Sequence, residues 1–317
     1  MYFEKFKKSI FFKIHFEKIK SAFNKTHILF DGLYSSSIGY FDKLLSIHDI
    51  KFDAIHMYHD KNFGGGMPEP KPQYMKEAIE YVKKKFEDRK VGSYDDRQNI
   101  EDGISSYPLT FLPSSYVAFA NDGDADRFGV INEDGEYVTP NEIMAILLMH
   151  LKRNKGYSGC FVKTVAGSQM LDIVSQKLGI EVVETPVGFK HVGEAMRQYN
   201  PIIAGEESGG LSIQGHIPEK DGIIANLLVL EAMAMENKTL VELQKELYDI
   251  VEIKLFQDRL DYKFADKKIM DKDEIKDYSS DDSASSTVSA STSSSTSAFA
   301  SSAEVEEDVE GHTHHLR

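Results

Sequence analysis

Cysteine, basic charge and long apolar runs are what this chain has little of. A single cysteine, Cys160, among 317 residues excludes an intramolecular disulfide and suits a reducing, cytoplasmic setting. Lysines and arginines number 37 against 51 acids, a net charge of −14, which argues against nucleic acid as the main partner. No apolar run approaches the ~20 residues of a membrane span, so no membrane partner is expected. Much of the acidity is local, because from Ser279 onward seven acids face one base. Thirteen serines fill the twenty-four positions 279–302, ahead of an acidic stretch and a short end holding His312, His314 and His315. Such a segment cannot bury a core, so residues 256–317 are expected to form a disordered, acidic, serine-rich tail. The three histidines are read as a chance cluster. The rest of the chain is long enough for one large or two medium cores.

What is there centres on Asp122-Gly123-Asp124-Ala125-Asp126-Arg127. Carboxylates at every second position of an extended or looped backbone turn to one side, making a compact oxygen nest for Mg²⁺ or another small dication. Tyr116 to Ala120 before it and Phe128 to Ile131 after it read as strands, which places the nest on a strand-to-strand turn. A calcium EF-hand fits Asp122, Asp124, Asp126 and Glu133 by spacing. It fails at Arg127, which stands where that loop needs glycine, and at the flanking strands. A metal cage has no use for a neighbouring cation, but a site holding phosphate beside a metal does, and Arg127 is suited to that role.

The chain in order gives this loop a setting. Residues 1–25 alternate aromatic and basic groups, and Phe12, Phe16, Ile19 and Phe23 have helical spacing, which predicts a connecting helix packed on its own domain rather than a membrane-surface or targeting helix. From Thr26 a strand–helix alternation begins, with strands at 27–30 and 52–57 and helices at 39–47 and 73–86. Gly64-Gly65-Gly66-Met67-Pro68-Glu69-Pro70 is a loop, and lacks the Lys-Ser/Thr of a phosphate-binding P-loop. Residues 87–115 are polar and patternless, a surface insertion. Beyond the acid loop, helices are predicted at 141–151, 168–178, 189–199 and 222–235, with strands at 159–163, 180–184 and 202–204. Thr139, Pro140 and Glu142 supply an N-terminal cap to the first of these helices. The alternation predicts α/β architecture: two similar three-layer α/β/α domains with mostly parallel sheets, ligands lying at the carboxyl ends of the strands.

Two turns at such ends carry chemistry. Thr185-Pro186-Val187-Gly188-Phe189-Lys190-His191 opens a helix, so free N–H groups and two basic side chains point outward. Gly205-Glu206-Glu207-Ser208-Gly209-Gly210 sets acceptors and a hydroxyl among glycines, which suits the hydroxyls of a sugar ring. His216-Ile217-Pro218-Glu219-Lys220 follows, offering a lysine able to exchange a proton where its surroundings lower its pKa. Taken singly, Glu206-Glu207 is equally a solvated face, His216 a satisfied core histidine and Lys220 a surface charge.

In their order and spacing, Asn121 to Val130, Thr185 to Lys190, Gly205 to Gly210 and Glu219 to Gly222 resemble the motifs of the α-D-phosphohexomutases, the phosphoglucomutases and phosphomannomutases, over residues 2–250. The resemblance implies residues 26–135 as the family's second domain and 136–255 as its third. It implies Mg²⁺ on Asp122, Asp124 and Asp126, shared with a phosphoserine that passes its phosphoryl group to a glucose or mannose phosphate by way of a hexose 1,6-bisphosphate. Glu206 and Ser208 would hold sugar hydroxyls, Thr185 and Gly188 would contact the sugar, and Lys190 or His191 would lie near it. Lys220 would be the general acid/base, with His216 second, because Gly210 stands where some members carry a loop histidine.

Departures from the pattern are equally plain. The family's serine loop reads Thr-Ala-Ser-His-Asn-Pro, and none of the eleven histidines here follows a serine. No arginine begins an Arg-Pro-Ser-Gly-Thr-Glu-like phosphate loop. The expectation is therefore a chain with the second and third domains and without the first and fourth, inactive or nearly so alone. Three readings stay open: part of a split or truncated enzyme completed by a separate chain carrying the phosphoserine domain, a non-catalytic sugar-phosphate-binding or regulatory protein, and an interaction protein for which these domains are scaffold.

Overall fold

The computed structural model describes residues 14–23, 26–87, 115–252, 257–260 and 294–297. The rest of the predicted insertion, most of the serine-rich tail, the C-terminal histidines and residues 1–13 lie outside the described residues.

A five-stranded sheet runs in the order β2-β1-β3-β4-β5. Its strands are β1 (Thr26–Asp31), β2 (Phe52–Ile55), β3 (Ser115–Asn121), β4 (Phe128–Ile131) and β5 (Tyr137–Val138). A four-stranded sheet follows in the order β7-β6-β8-β9, from β6 (Phe161–Thr164), β7 (Val182–Thr185), β8 (Ile203–Gly205) and β9 (Leu211–Ile213). In each sheet the strands joined through helices pair in parallel, and the outer strands β4, β5 and β9 are antiparallel. The expectation of mostly parallel sheets holds, with antiparallel strands added at one edge of each sheet. The reason is loop length: the few residues between β3 and β4, or between β8 and β9, reach only a hairpin-like return, whereas a parallel pair needs a crossover of a dozen residues or more.

Helices cover both faces. Strand alternation sends Leu29, Ala118, Ala120 and Ile131 into one core with Ala78 and Val82 of the helix at 76–87, here α3, and with Met75 just ahead of it. Phe30 and Phe119 point the other way, onto Phe41 of α2 (Phe41–Ile47). In the second sheet Val162 and Ala204 meet Phe189, Val192 and Met196 of α6 (Phe189–Tyr199). On its other side lie α4 (Pro140–Arg153), started by a Thr139–Glu142 capping box, and α5 (Gln169–Lys177), capped by Ser168.

The two halves form one compact unit, residues 1–254. The element responsible is α7 (Gly222–Glu236), buried at every position from Gly222 to Met233. It touches β3 and β4 of the first sheet and β9 of the second, and a helix that is buried and predominantly apolar all round is what packing against both sheets requires. The short N-terminal helix α1 (Phe16–Ala22) packs on α7 and stacks Phe16 on His48 at 3.8 Å. A last helix, α8 (Leu240–Val251), not foreseen from the sequence, lies against α4 and α5. In the second unit, residues 255–317, two segments of the stretch read as structureless, β10 (Gln257–Leu260) and β11 (Ser294–Ser297), pair antiparallel. Among the described residues no helix is long and apolar enough to cross a membrane.

Candidate functional site

Strand order places the acid loop. The connection after β1 runs out to β2 on one side, while β3 lies on the other, and such a reversal opens a crevice at the carboxyl ends. The loop 122–127 leaves β3 at that point. Its backbone is held all round: Ala125 N–H donates to the Asp122 carbonyl at 3.0 Å, Gly123 N–H to the Pro68 carbonyl at 3.0 Å, and Ser36 N–H to the Gly123 carbonyl at 3.1 Å. Ala125 takes a left-handed conformation, φ 64°, a strained choice for a residue with a Cβ and one that surrounding contacts must impose.

The result gathers the three carboxylates. One oxygen each from Asp122, Asp124 and Asp126 lies within 4.8 Å of the others. Asp122 is buried, Asp124 exposed and Asp126 between the two. Burial pushes the Asp122 carboxyl up to about 6, against the pull of Arg127. The buried Asp126 Oδ1 accepts no hydrogen bond, and Arg127 Nε stands 3.7 Å from it. An orphaned carboxylate oxygen facing two further carboxylates is the donor set that a hard dication such as Mg²⁺ takes, so these residues fit the implied metal. Arg127, expected to face phosphate, is anchored beside the triad: Nε donates to Asp122 Oδ2 at 2.5 Å and Nη1 to Glu69 Oε1 at 3.3 Å.

The second loop reaches the first through backbone. It follows β8, which, like β3, lies at its sheet's reversal. Phe128 N–H donates to the Gly209 carbonyl at 3.1 Å, and Arg127 pairs with Gly210 as an antiparallel bridge. Glu206 is buried, and its Oε1 accepts the Gly188 N–H at 3.1 Å, so the two turns singled out beyond the acid loop meet at one carboxylate. Burial raises the Glu206 carboxyl, with Lys220 opposing. Glu207 is tied to Thr164 Oγ1 at 2.9 Å, while Ser208 is exposed.

Lys220 joins the loops, its Nζ 2.6 Å from Asp126 Oδ2 and 5.9 Å over the Phe189 ring. The lowered pKa that the sequence reading required of it is not what this environment gives. Burial alone would lower it, but the hydrogen bond to Asp126 and the charges of Asp126 and Glu206 hold it above the ordinary lysine value. His216 is occupied elsewhere: its Nε2 is 2.9 Å from Asp221 Oδ2, and Asp221 Oδ1 caps α7. Thr185 is buried with its hydroxyl donating to the Lys163 carbonyl at 3.4 Å, a bond within the sheet. Lys190 is exposed on the first turn of α6, and His191 Nδ1 lies 3.9 Å from Glu194.

Gly222 closes the junction. Its N–H donates to the Ala125 carbonyl at 3.1 Å, and a Cβ there would run into the Arg127 carbonyl and Asn121 Nδ2. Gly222→Ala is therefore expected to cost about 1–3 kcal/mol in urea unfolding, since backbone has little room to give. An unchanged midpoint would mean that α7 and the acid loop are not in register.

Sequence reasoning missed Glu69 and Lys71. Glu69 Oε2 takes Lys71 Nζ at 2.6 Å, and Lys71 and Arg127 together hold the Glu69 carboxyl below its usual range despite burial. The only signal was an acid between two prolines, which names no partner.

Residues 1–135 match the family model described as phosphoglucomutase/phosphomannomutase, alpha/beta/alpha domain II, and residues 139–251 the model for domain III. A phosphoglucosamine mutase of Rubrobacter xylanophilus is 38% identical over 155 residues, 48% of this chain and 35% of that protein. The match thus spans about a third of that relative's length. A Thermus thermophilus structure described as a phosphomannomutase superposes with a TM-score of 0.68 at 28% identity, over 81% of this chain and 53% of that one. An N-acetylphosphoglucosamine mutase of Aspergillus fumigatus, solved with GlcNAc-6P and magnesium, shares the fold with a TM-score of 0.51 at 15% identity, over 80% of this chain and 56% of its own.

Proposed function

The chain belongs to the phosphoglucomutase/phosphomannomutase family, and on that premise we propose that residues 1–254 are the metal- and sugar-binding portion of a hexose-phosphate mutase. One observation carries the reading: Lys220 spans the two loops, its ammonium on Asp126 and within the field of Glu206, so metal and sugar carboxylates share one cleft. Mg²⁺ held by Asp122, Asp124 and Asp126 would supply positive charge to a transferring phosphoryl group.

The chain's own groups do the rest. Arg127 offers its remaining N–H groups to phosphate oxygens. Glu206 accepts from sugar hydroxyls while the Gly188 N–H fixes its orientation, and the exposed Ser208 adds a donor. Lys220 holds or releases a proton at the sugar oxygen, with proton affinity set by how closely Asp126 engages it. His216 acts through Asp221 to keep the Lys220 loop in place. Lys190 and His191, at the start of α6, face the outer part of the ligand. The substrate class is a hexose phosphate of glucose, mannose or, following the named relatives, glucosamine type.

Phosphoryl transfer also needs a hydroxyl to carry the group, and no serine of this sequence has the Ser-His setting. We assign that hydroxyl to residues outside this sequence, of the same protein or of a separate chain, and expect no mutase turnover from the purified 317 residues. A non-catalytic sugar-phosphate-binding role needs the same half-site without the serine. Calorimetric titration with glucose 1,6-bisphosphate in Mg²⁺, beside an Asp124→Asn, Glu206→Ala double variant, tests the reading. Saturable binding that the variant loses supports it; no binding by the unaltered chain, or equal binding by the variant, rules out a working half-site.

A further inference from the structure

Glu69 belongs to neither loop, yet it fixes the orientation of Arg127, which with Lys220 is one of two cations that touch the metal triad among the described residues. Arg127 is a long side chain at the cleft, and a guanidinium held at one nitrogen can swing about that bond. Here it is held at two, Nε on Asp122 and Nη1 on Glu69, which sets the plane of the group. Among the described residues Nη2 is left without a partner. Glu69 is in turn gripped by Lys71 at 2.6 Å, so its charge is matched locally. The same short segment holds the acid loop's backbone through the Pro68 carbonyl on Gly123 N–H, and prolines on either side of Glu69 restrict its backbone.

We propose that Glu69, backed by Lys71, is a positioning residue that turns the free edge of Arg127 toward a phosphoryl oxygen beside the metal. This rests on the hexose-phosphate reading. It has a consequence of distinctive sign. By charge alone, replacing Glu69 with a neutral residue leaves more positive potential and should tighten an anionic ligand. By positioning, the same change frees Arg127 and weakens it.

The test is a double-mutant cycle on the full chain in Mg²⁺, titrating glucose 1,6-bisphosphate. Glu69→Gln is expected to weaken binding about tenfold, the scale of one charged hydrogen bond, and to add nothing once Arg127→Gln is present. Unchanged or tighter binding by Glu69→Gln overturns the proposal, and so does an equal loss in the Arg127→Gln background, which a merely structural role would give. Rotation of the Arg127 guanidinium, followed by side-chain nitrogen NMR without sugar, keeps the two levels apart. Should the unaltered chain bind no bisphosphate, the hexose-phosphate reading fails. Slow rotation that Glu69→Gln speeds up then still upholds positioning, and equal rotation in both overturns it.

Discussion

Asp126→Asn is expected to lower Mg²⁺ affinity by on the order of a hundredfold, the largest loss from any single change in the cleft. Asp126 contributes the buried, unpartnered Oδ1, so the amide leaves at most a neutral oxygen, or an N–H donor, where the carboxylate best placed to meet a cation stood. It also strips Lys220 of the carboxylate 2.6 Å from its ammonium, leaving a half-buried positive charge where the dication would sit. Both effects have the same sign. Calorimetry with Mg²⁺, or with Mn²⁺ as a spectroscopic substitute, measures the loss, and a change of less than about threefold would remove Asp126 from the ligand set.

The same site predicts a pH dependence. Burial places the Asp122 carboxyl at about 6, and a proton there competes with the metal. Mg²⁺ affinity should fall by up to about tenfold per unit as pH drops below 6 and level off above 7. For folding the sign is that of a raised carboxyl: its ionisation costs stability as pH rises from its ordinary value to about 6, and the metal offsets that cost. Stabilisation by Mg²⁺ should therefore be larger at pH 7 than at pH 5, and pH-independent stabilisation would show that Asp122 is not a ligand.

Glu231→Gln is the change with the largest expected effect on folding, about 3–5 kcal/mol in urea at pH 7. Glu231 is fully buried on α7 and takes Lys155 Nζ at 2.9 Å on each oxygen, His150 Nε2 at 3.0 Å, and the His15 ring and N–H at 2.5 and 2.7 Å. A neutral amide cannot balance Lys155, whose side chain is only 5% exposed, so a buried charge would lose the carboxylate that faces it on both oxygens. Burial alone would raise the Glu231 carboxyl, but the hydrogen bond from His150 and the charge of Lys155 outweigh it and hold it at about 2. That stability is present above the ordinary carboxylate pKa and is lost as pH falls toward 2, a contribution of about 3 kcal/mol. A Glu231→Leu, Lys155→Met pair, which removes both charges, should fall well short of the single variant's cost. Equal losses would mean that packing rather than charge dominates there.

Fold and site were unequally legible. The helices at 141–151, 168–178, 189–199 and 222–235 were foreseen to within a few residues because apolar spacing and, at the first, the Thr139 cap are local signals; the Ser168 and Asp221 caps emerged only in the structure. The helix α8, unpredicted, opens on a capping box of Thr239 and Glu242, a signal as local as the one at Thr139. Spacing sufficed to mark Asp122, Asp124 and Asp126 as one nest, because a hairpin-like turn makes neighbours in sequence neighbours in space.

The sequence by itself determined the α/β alternation, the acid triad and the two chemical turns, all of which rest on interactions within a few residues. Only the tertiary structure decided that Lys220 sits on Asp126, that Glu206 and Gly188 hold each other, and that Glu69 grips Arg127 from 58 positions away. Those pairings follow from α7 being packed between both sheets and from strand reversals that bring separate loops together. Burial then set the charges: the same kind of carboxyl lies at about 6 in Asp122 and at about 2 in Glu231, because desolvation wins at one and paired donors at the other.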